Sequence, residues 1–293
     1  MKIAVYGPLY NERSKSTIQT LIAYLTKRDA KVVFEKNFHT SISADSDIDI
    51  EAYSFDTFEV LEASFNLLIS IGGDGTILRA ITFVKNLNIP IVGINTGRLG
   101  FLATIPMNTI HKAMDEIFEG NYRISKRSLL TIGTDSNAAA LDLDFALNEI
   151  AVSRKNTTSM ISVETWLDDD YLTSYWADGL IISTPTGSTG YSLSCGGPVI
   201  LPESDSLVLT PIAPHNLNAR PLVISSDKII KLKVSGRENQ HLVSLDSRIN
   251  TLENNTTITI QKAPFYIHMI ELEADGFVET LRKKLLWGAD PRN

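Results

Sequence analysis

The sequence predicts an α/β + β protein: an N-terminal parallel-sheet α/β domain, a C-terminal all-β domain, and a terminal helix packing back on the first domain. Three observations carry this expectation. Short apolar, β-favouring runs alternate with 3.6-residue helical periodicity as far as residue 121, which is the pattern of βαβ units. From about Tyr122 to Met269 helical periodicity nearly disappears, and two-residue alternation with turn-rich breaks replaces it. Phe277–Trp287 then returns to a helical face, with Phe277, Leu281 and Leu285 on one side. The expected division is residues 1–121, residues 122–275, and a helix over 276–293 returning to the first part.

Lys2–Tyr6 reads as the first strand, broken by Gly7-Pro8. Ser16 with Gln19 three residues on is a capping box, and Ile18, Leu21, Ile22 and Leu25 form one helical face. Lys31–Glu35 is a second strand, and the polar, acidic, aperiodic Thr40–Glu51 reads as a loop. Glu59–Ala63 is expected as a short helix before a third strand, Asn66–Ile71. A helix over Ile77–Leu87 follows, and Pro90 opens a fourth strand, Ile91–Asn95. After a glycine turn at Gly97–Phe101, Asn108 caps a helix to Phe118, with Gly120 just past its end. The second half offers strand segments at Leu141–Val152, Met160–Leu167, Tyr171–Trp176, Lys228–Val234, Thr256–Gln261 and Tyr266–Leu272. Asp168-Asp169-Asp170 and Glu253-Asn254-Asn255 read as solvated turns between them.

Composition narrows the function. A chain of 293 residues, 43% hydrophobic and 21% charged, can bury a real core in two modest domains. A net charge of −7 argues against a nucleic-acid partner, which needs basic surface. The single cysteine, Cys195, permits no intrachain disulfide, and no paired histidine makes it a nucleophile. No window reaches the roughly eighteen apolar residues of a membrane helix, and Met1–Gly7 is too soon broken for a signal peptide. A cytoplasmic protein without a membrane partner is the expectation. The five histidines lack ligand spacing, so no zinc site is expected.

The most informative stretch is Leu67–Arg79, where a buried strand ends in Gly72-Gly73-Asp74-Gly75-Thr76 and turns into a helix. Glycines let a bulky anion approach the main chain, and free N–H groups at a helix start favour phosphate. The loop is neither Walker A nor Gly-x-Gly-x-x-Gly. Asp74 would repel a phosphate unless it takes a proton or faces a metal, and Arg79, one turn on, can lean towards the same anion. Phe101 lies at the carboxyl edge of the next strand, where ligands of open α/β sheets collect, and can stack on a base or pack in a core. A second constellation, Asp178–Pro198, leads an apolar strand into hydroxyls and glycines suited to a nucleotide. Asn148-Glu149 interrupts the apolar run Phe145–Val152, where an amide and a carboxylate need partners such as sugar hydroxyls.

Taken together, Gly72–Thr76, Asn148-Glu149, Asp178–Pro198 and Pro214-His215 through Arg220-Pro221-Leu222-Val223 resemble the NAD kinase family over nearly the whole chain. The resemblance implies phosphorylation of the adenosine ribose 2′-hydroxyl of NAD to give NADP, with a nucleoside triphosphate as donor and Mg²⁺ carried on its phosphates. By motif, Asp74 would be the general base, with Gly72, Gly73 and Gly75 beside it, and Asn148 and Glu149 would hold the adenosine half. Thr189, Gly190, Tyr191, Ser192, Leu193 and Ser194 would line the dinucleotide site, and Asp178 would reach the nicotinamide side. Ala213 and Arg248 are further candidates, and a homodimer or homotetramer is implied. The chain departs from the family pattern at Gly190, where alanine is common, at Trp176-Ala177, and at Arg248, where glutamine is frequent. Two other readings share features of the chain: a diacylglycerol- or sphingosine-type lipid kinase with the same glycine loop, and a non-catalytic NADP-binding sensor.

Overall fold

The computed structural model describes residues 1–8, 12–44, 55–97, 100–135, 143–156, 159–273 and 276–286. It divides into two compact units, residues 1–126 with 267–293, and residues 127–266.

In the first unit the strands are β1 (Lys2–Tyr6), β2 (Lys31–Glu35), β3 (Asp56–Phe58), β4 (Leu67–Ile71), β5 (Ile91–Asn95) and β6 (Ile105–Pro106). Its helices are α1 (Glu12–Lys27), α2 (Lys36–Ser43), α3 (Asp74–Val84) and α4 (Ile110–Glu119). The sheet runs β3-β2-β1-β4-β5 with every neighbour parallel, and β6 lies parallel to β5. β1, β4 and β5 are apolar on both faces because helices cover both, which is why they read as continuous Ile, Leu and Val runs rather than alternations. α4 shows how such a helix is specified. Ile110, Ala113, Met114 and Ile117 are its buried stripe, and Gly120 ends it at φ 80, where the Asn121 N–H closes on the Glu116 carbonyl at 2.8 Å.

The second unit is built of β7 (Arg123–Thr134), β8 (Phe145–Ala146), β9 (Glu149–Arg154), β10 (Ile161–Leu167), β11 (Asp170–Ala177), β12 (Gly179–Ser183), β13 (Ser206–Ile212), β14 (Leu222–Ser225), β15 (Ile230–Gly236), β16 (Gln240–Leu245), β17 (Arg248–Glu253) and β18 (Thr257–Glu271). The first residues of β7 and the last of β18 belong to the first unit. A single helical turn, α5 (Tyr191–Ser194), follows a 3₁₀ turn at Thr186–Thr189. One antiparallel sheet runs β14-β13-β12-β9-β16-β17, and β11-β10-β15-β18 form a second array. Leu180, Ile182, Val243 and Leu245 of the first pack with Val163, Leu232, Val234 and Ile258 of the second in one core. The terminal helix α6 (Phe277–Leu285) lies in the first unit, where Phe277 meets Phe101 at 6.1 Å between ring centroids.

Several expectations need correction. α1 starts at Glu12, so Ser16 and Gln19 lie inside the helix rather than at its cap. The loop expected from Thr40 is helical to Ser43, because Glu35 accepts from the Asn37 and Phe38 N–H groups and Phe38 and Ile42 are buried on one face; residues 45–51 of that segment lie outside the described residues. Glu59–Ala63 is irregular, and the element before β4 is instead the short strand β3. Asn108 sits within a 3₁₀ turn at Met107–Thr109, leaving Thr109 to precede α4. Thr256–Gln261 and Tyr266–Leu272 are one strand of 15 residues. The Leu141–Val152 segment breaks at Leu147-Asn148 into β8 and β9, with residues 141 and 142 outside the described residues, as is Trp287 of the last helix.

His241 is fully buried in β16, with Nδ1 at 3.1 Å from Asn254 Oδ1 and Nε2 without a partner among the described residues. Burial pushes its pKa below the usual histidine value, although Asn254 pulls the other way. A histidine held neutral in the fold but free to protonate when unfolded contributes stability above the unfolded pKa of ~6.5, and loses it as pH falls towards the folded value. Urea unfolding of wild type should therefore show a stability loss between pH 7.5 and 5 that is smaller in His241→Met.

Candidate functional site

In the first unit the site is organised by Asp74, the first residue of α3. Its Oδ2 accepts the Phe101 N–H at 2.7 Å, and its Oδ1 accepts those of Leu102 and Ala103 at 3.0 Å each. A carboxylate offers about four acceptor positions, so among the described residues one direction on Oδ2 is left over while the group itself is held still. Gly100 makes this approach possible, since a Cβ there would lie 1.8 Å from Asp74 Oδ1. The three glycines around Asp74 have different jobs. Gly72 has φ +153 and no room for a Cβ against Thr76, whereas Cβ atoms at Gly73 and Gly75 would meet nothing within 4 Å. Those two leave open space beside the Asp74 and Gly75 N–H groups that begin α3 and suit an anion, while the Thr76 and Ile77 N–H groups meet the Gly73 carbonyl.

Arg79 is exposed on α3, and its guanidinium charge acts on the Tyr6 hydroxyl at the end of β1. Burial raises the Tyr6 pKa against the opposing pull of that guanidinium. Phe101 is half-buried with its ring against Phe277, and Lys284 Nζ stands 4.4 Å from its centroid. Its neighbours Arg98 and Leu99 lie outside the described residues.

In the second unit the site is a cradle around the break between β8 and β9. Asp246, in the turn from β16 to β17, accepts the Asn148 and Glu149 N–H groups on Oδ1 at 2.7 and 3.3 Å and the Leu147 N–H on Oδ2 at 3.0 Å. The Asp246 N–H returns a bond to the Glu149 carbonyl at 3.0 Å. From the other side, Thr184 Oγ1 donates to the Leu147 carbonyl at 2.6 Å and accepts the Gly187 N–H at 3.1 Å. The side chains so positioned end in two buried acceptors, Asn148 Oδ1 and Glu149 Oε2, with no hydrogen-bond partner among the described residues. Buried polar atoms are nearly always satisfied, so these two mark where a ligand's hydroxyl or amino groups belong. Burial and then the neighbouring Asp246 push the Glu149 carboxyl up to about 8, against the Tyr191 backbone N–H.

The loop after β12 wraps this cradle. Gly190 approaches Glu149 so closely that a Cβ would stand 3.0 Å from Oε2. Tyr191 is 44% exposed, Ser194 is exposed, and Thr189 and Leu193 are half-buried. Ser192 is fully buried and its hydroxyl is spent on Thr210 Oγ1 at 2.8 Å. Asp178 pairs with Arg154 at 2.9 Å, and Ala213 is exposed at φ 43. Arg248 turns inward, its Nε donating to the Leu245 carbonyl at 3.2 Å and its NH2 to the Phe145 carbonyl, with Asp246 3.7 Å away. Burial lowers its pKa. Among the described residues no group of three or more His, Cys, Asp or Glu side chains is gathered as a cation cage.

Sequence reasoning missed Asp246, and it picked out the stretches holding Gly100 and Thr184 without assigning either residue its part. Asp246 had one signal, an aspartate in a hairpin turn between alternating segments. Nothing local marked its three bonds to a chain nearly a hundred residues away.

Residues 9–122 match a model of the ATP-NAD kinase N-terminal domain, and residues 147–272 match one of the ATP-NAD kinase C-terminal domain. The chain is 60% identical to an NAD kinase of Christiangramia forsetii, with 100% of each chain covered. An NAD kinase from Archaeoglobus fulgidus in complex with ATP matches at TM-score 0.74 and 26% identity, covering 97% of each chain. Yeast NADH kinase complexed with NADH gives TM-score 0.87 at 22% identity over 99% of this chain and 89% of that one, a likeness of fold alone.

A Cβ at Gly187 would lie 2.0 Å from the Asn148 carbonyl oxygen, a backbone atom that cannot turn aside. Gly187→Ala should therefore cost about 1–3 kcal/mol, the usual range for overpacking, read as a lower midpoint in thermal unfolding.

Proposed function

The chain belongs to the ATP-NAD kinase family, and from that premise we propose the residues that carry its reaction. The enzyme transfers the terminal phosphoryl group of ATP to NAD and so makes NADP. In our reading Asp74 is the catalytic residue and accepts the proton of the adenosine ribose 2′-hydroxyl. The bond from that oxygen to the γ-phosphorus forms, the bond from phosphorus to the β–γ bridging oxygen breaks, and ADP leaves. Such transfers pass through a loose transition state that needs alignment more than a strong nucleophile, so the proton can leave late. The observation that supports Asp74 best is its carboxylate, held by three main-chain N–H groups with an acceptor direction on Oδ2 left over.

The other roles follow from what each side chain has to offer. Asn148 and Glu149, with their unpartnered buried oxygens, would take the adenosine ribose and base edge. Thr189, Gly190, Tyr191, Leu193 and Ser194 would line the dinucleotide, while Ser192 would serve by bracing the loop on Thr210. Asp178 would sit towards the nicotinamide, with Ala213 and Phe101 as further lining. Gly72, Gly73 and Gly75 would admit the phosphates to the start of α3, and Arg79 would add a cation there. Arg248 would act through Asp246, because its Nε and NH2 already meet carbonyls, while its NH1 is buried without a partner among the described residues. Mg²⁺ would arrive on the triphosphate and offset its developing charge. A cation that keeps its waters and phosphate oxygens needs no protein cage.

We also assign the enzyme to the cytoplasm, where both substrates are at hand; no described helix is long and apolar enough to cross a membrane. A homodimer or homotetramer would cover apolar side chains that the second unit exposes, among them Trp176 at 54%, Ile249 at 66% and Leu217 at 86%.

A coupled assay of NADP formation, with diacylglycerol as an alternative acceptor, tests the reading. NAD should be phosphorylated and the lipid should not. Asp74→Asn should retain NAD binding and lose on the order of 10²–10⁴ in turnover, the usual contribution of a general base; full turnover would refute the assignment. Gly100→Ala drives a methyl into the Asp74 carboxylate and should cost on the order of 10² in kcat, as ångström-scale misplacement does. In Gly100→Ala/Asp74→Asn the two losses should fall well short of additive.

A further inference from the structure

Two carboxyl groups lie together in the cradle of the second unit, and the chain supports them unequally. Asp246 receives the N–H groups of Leu147, Asn148 and Glu149, with the Arg248 guanidinium 3.7 Å from Oδ2. Glu149 has only the weaker pull of the nearby Tyr191 backbone N–H, and its Oε2 is buried without a hydrogen-bond partner among the described residues. Two like charges buried side by side resolve their repulsion by keeping one proton between them. That proton goes to the carboxyl with fewer donors, because hydrogen bonds to an anion favour the anion. We propose that Asp246 is a positioning residue that keeps Glu149 protonated, so that the cradle meets the adenosine ribose with a neutral carboxylic acid able to donate one hydrogen bond and accept another.

This rests on the reading of Glu149 as a dinucleotide ligand. The stereochemistry favours it. A ribose diol offers donors and acceptors alike, and a neutral acid can match both whereas a carboxylate only accepts. Gly190 leaves Oε2 the space that a methyl at 3.0 Å would crowd. Burial and Asp246 raise the Glu149 carboxyl to about 8, and burial also raises Asp246, with its three N–H donors and Arg248 opposing. Other titratable or charged groups on the packed elements are the Tyr191 hydroxyl and the Cys195 thiol, both pushed up by burial, Asp178 paired with Arg154, His241 of β16, whose pKa burial lowers, and buried Arg127 of β7, 3.5 Å from Thr186 Oγ1.

Calorimetric titration of the full-length enzyme with NAD between pH 6.5 and 9.5 tests the proposal. For a group that binds only when protonated and titrates at about 8, Kd should rise about tenfold from pH 7 to pH 9. Glu149→Gln, a permanently neutral donor and acceptor, should bind within about threefold of wild type at pH 7 and show no such rise. Asp246→Asn should move the weakening to lower pH; should it fail to fold, the wild-type and Glu149→Gln curves decide alone. Cys195→Ser should keep the wild-type slope, and losing it would overturn the assignment. Wild-type affinity that stays level to pH 9, with Glu149→Gln weakened tenfold or more, would show an anionic Glu149 and overturn the proposal. Unaltered NAD affinity in Glu149→Ala would instead remove Glu149 from the site, and the proposal with it.

Discussion

A carboxylate that gathers three consecutive main-chain N–H groups is the interaction on which both halves of this enzyme depend. Asp74 holds residues 101–103 in this way, and Asp246 holds residues 147–149. In each case the segment held lies between two strands, β5 and β6 or β8 and the first residue of β9, where ladder bonds are interrupted and buried N–H groups would otherwise be orphaned. A single charged acceptor satisfies three of them at once, with charge-assisted bonds stronger than neutral ones. The loops therefore need no regular structure to be ordered.

The device has different consequences in the two units. Around Asp74 the captured carboxylate is the group we propose as reactive, and the loop would set where its remaining lone pair points. Around Asp246 the captured group would stay out of the chemistry, and the loop it holds carries the side chains we assign to the dinucleotide. Both arrangements bring backbone closer than a side chain allows, and the glycines fall where the approach is tightest, at Gly100 against Asp74 and Gly187 against Asn148. Gly73 and Gly75 follow another logic, since the protein leaves their space empty.

Much of this was legible in the sequence, and the failures have identifiable causes. Parallel strands buried on both faces and a glycine loop before a helix are local features, so β1, β4, β5 and the Asp74 turn could be read directly. Asn148 and Glu149 announced themselves as polar residues in an apolar run. By contrast, α2 was hidden because its start is capped by Glu35, a residue that reads as strand. Strands β7, β16 and β17 carry polar residues on one face and lack strong periodic contrast. The role of Asp246 was invisible because its partners lie about a hundred positions away, and no window of sequence contains both ends of such a bond.

Asp246 also has φ 50, in the left-handed region that aspartate, asparagine and glycine occupy with little penalty. Backbone geometry thus favours a short polar side chain or glycine at this position, while gathering three donors calls for an anion, and aspartate meets both demands. One side chain therefore sets the turn of a hairpin and the shape of a cradle, so a substitution there is felt in both at once.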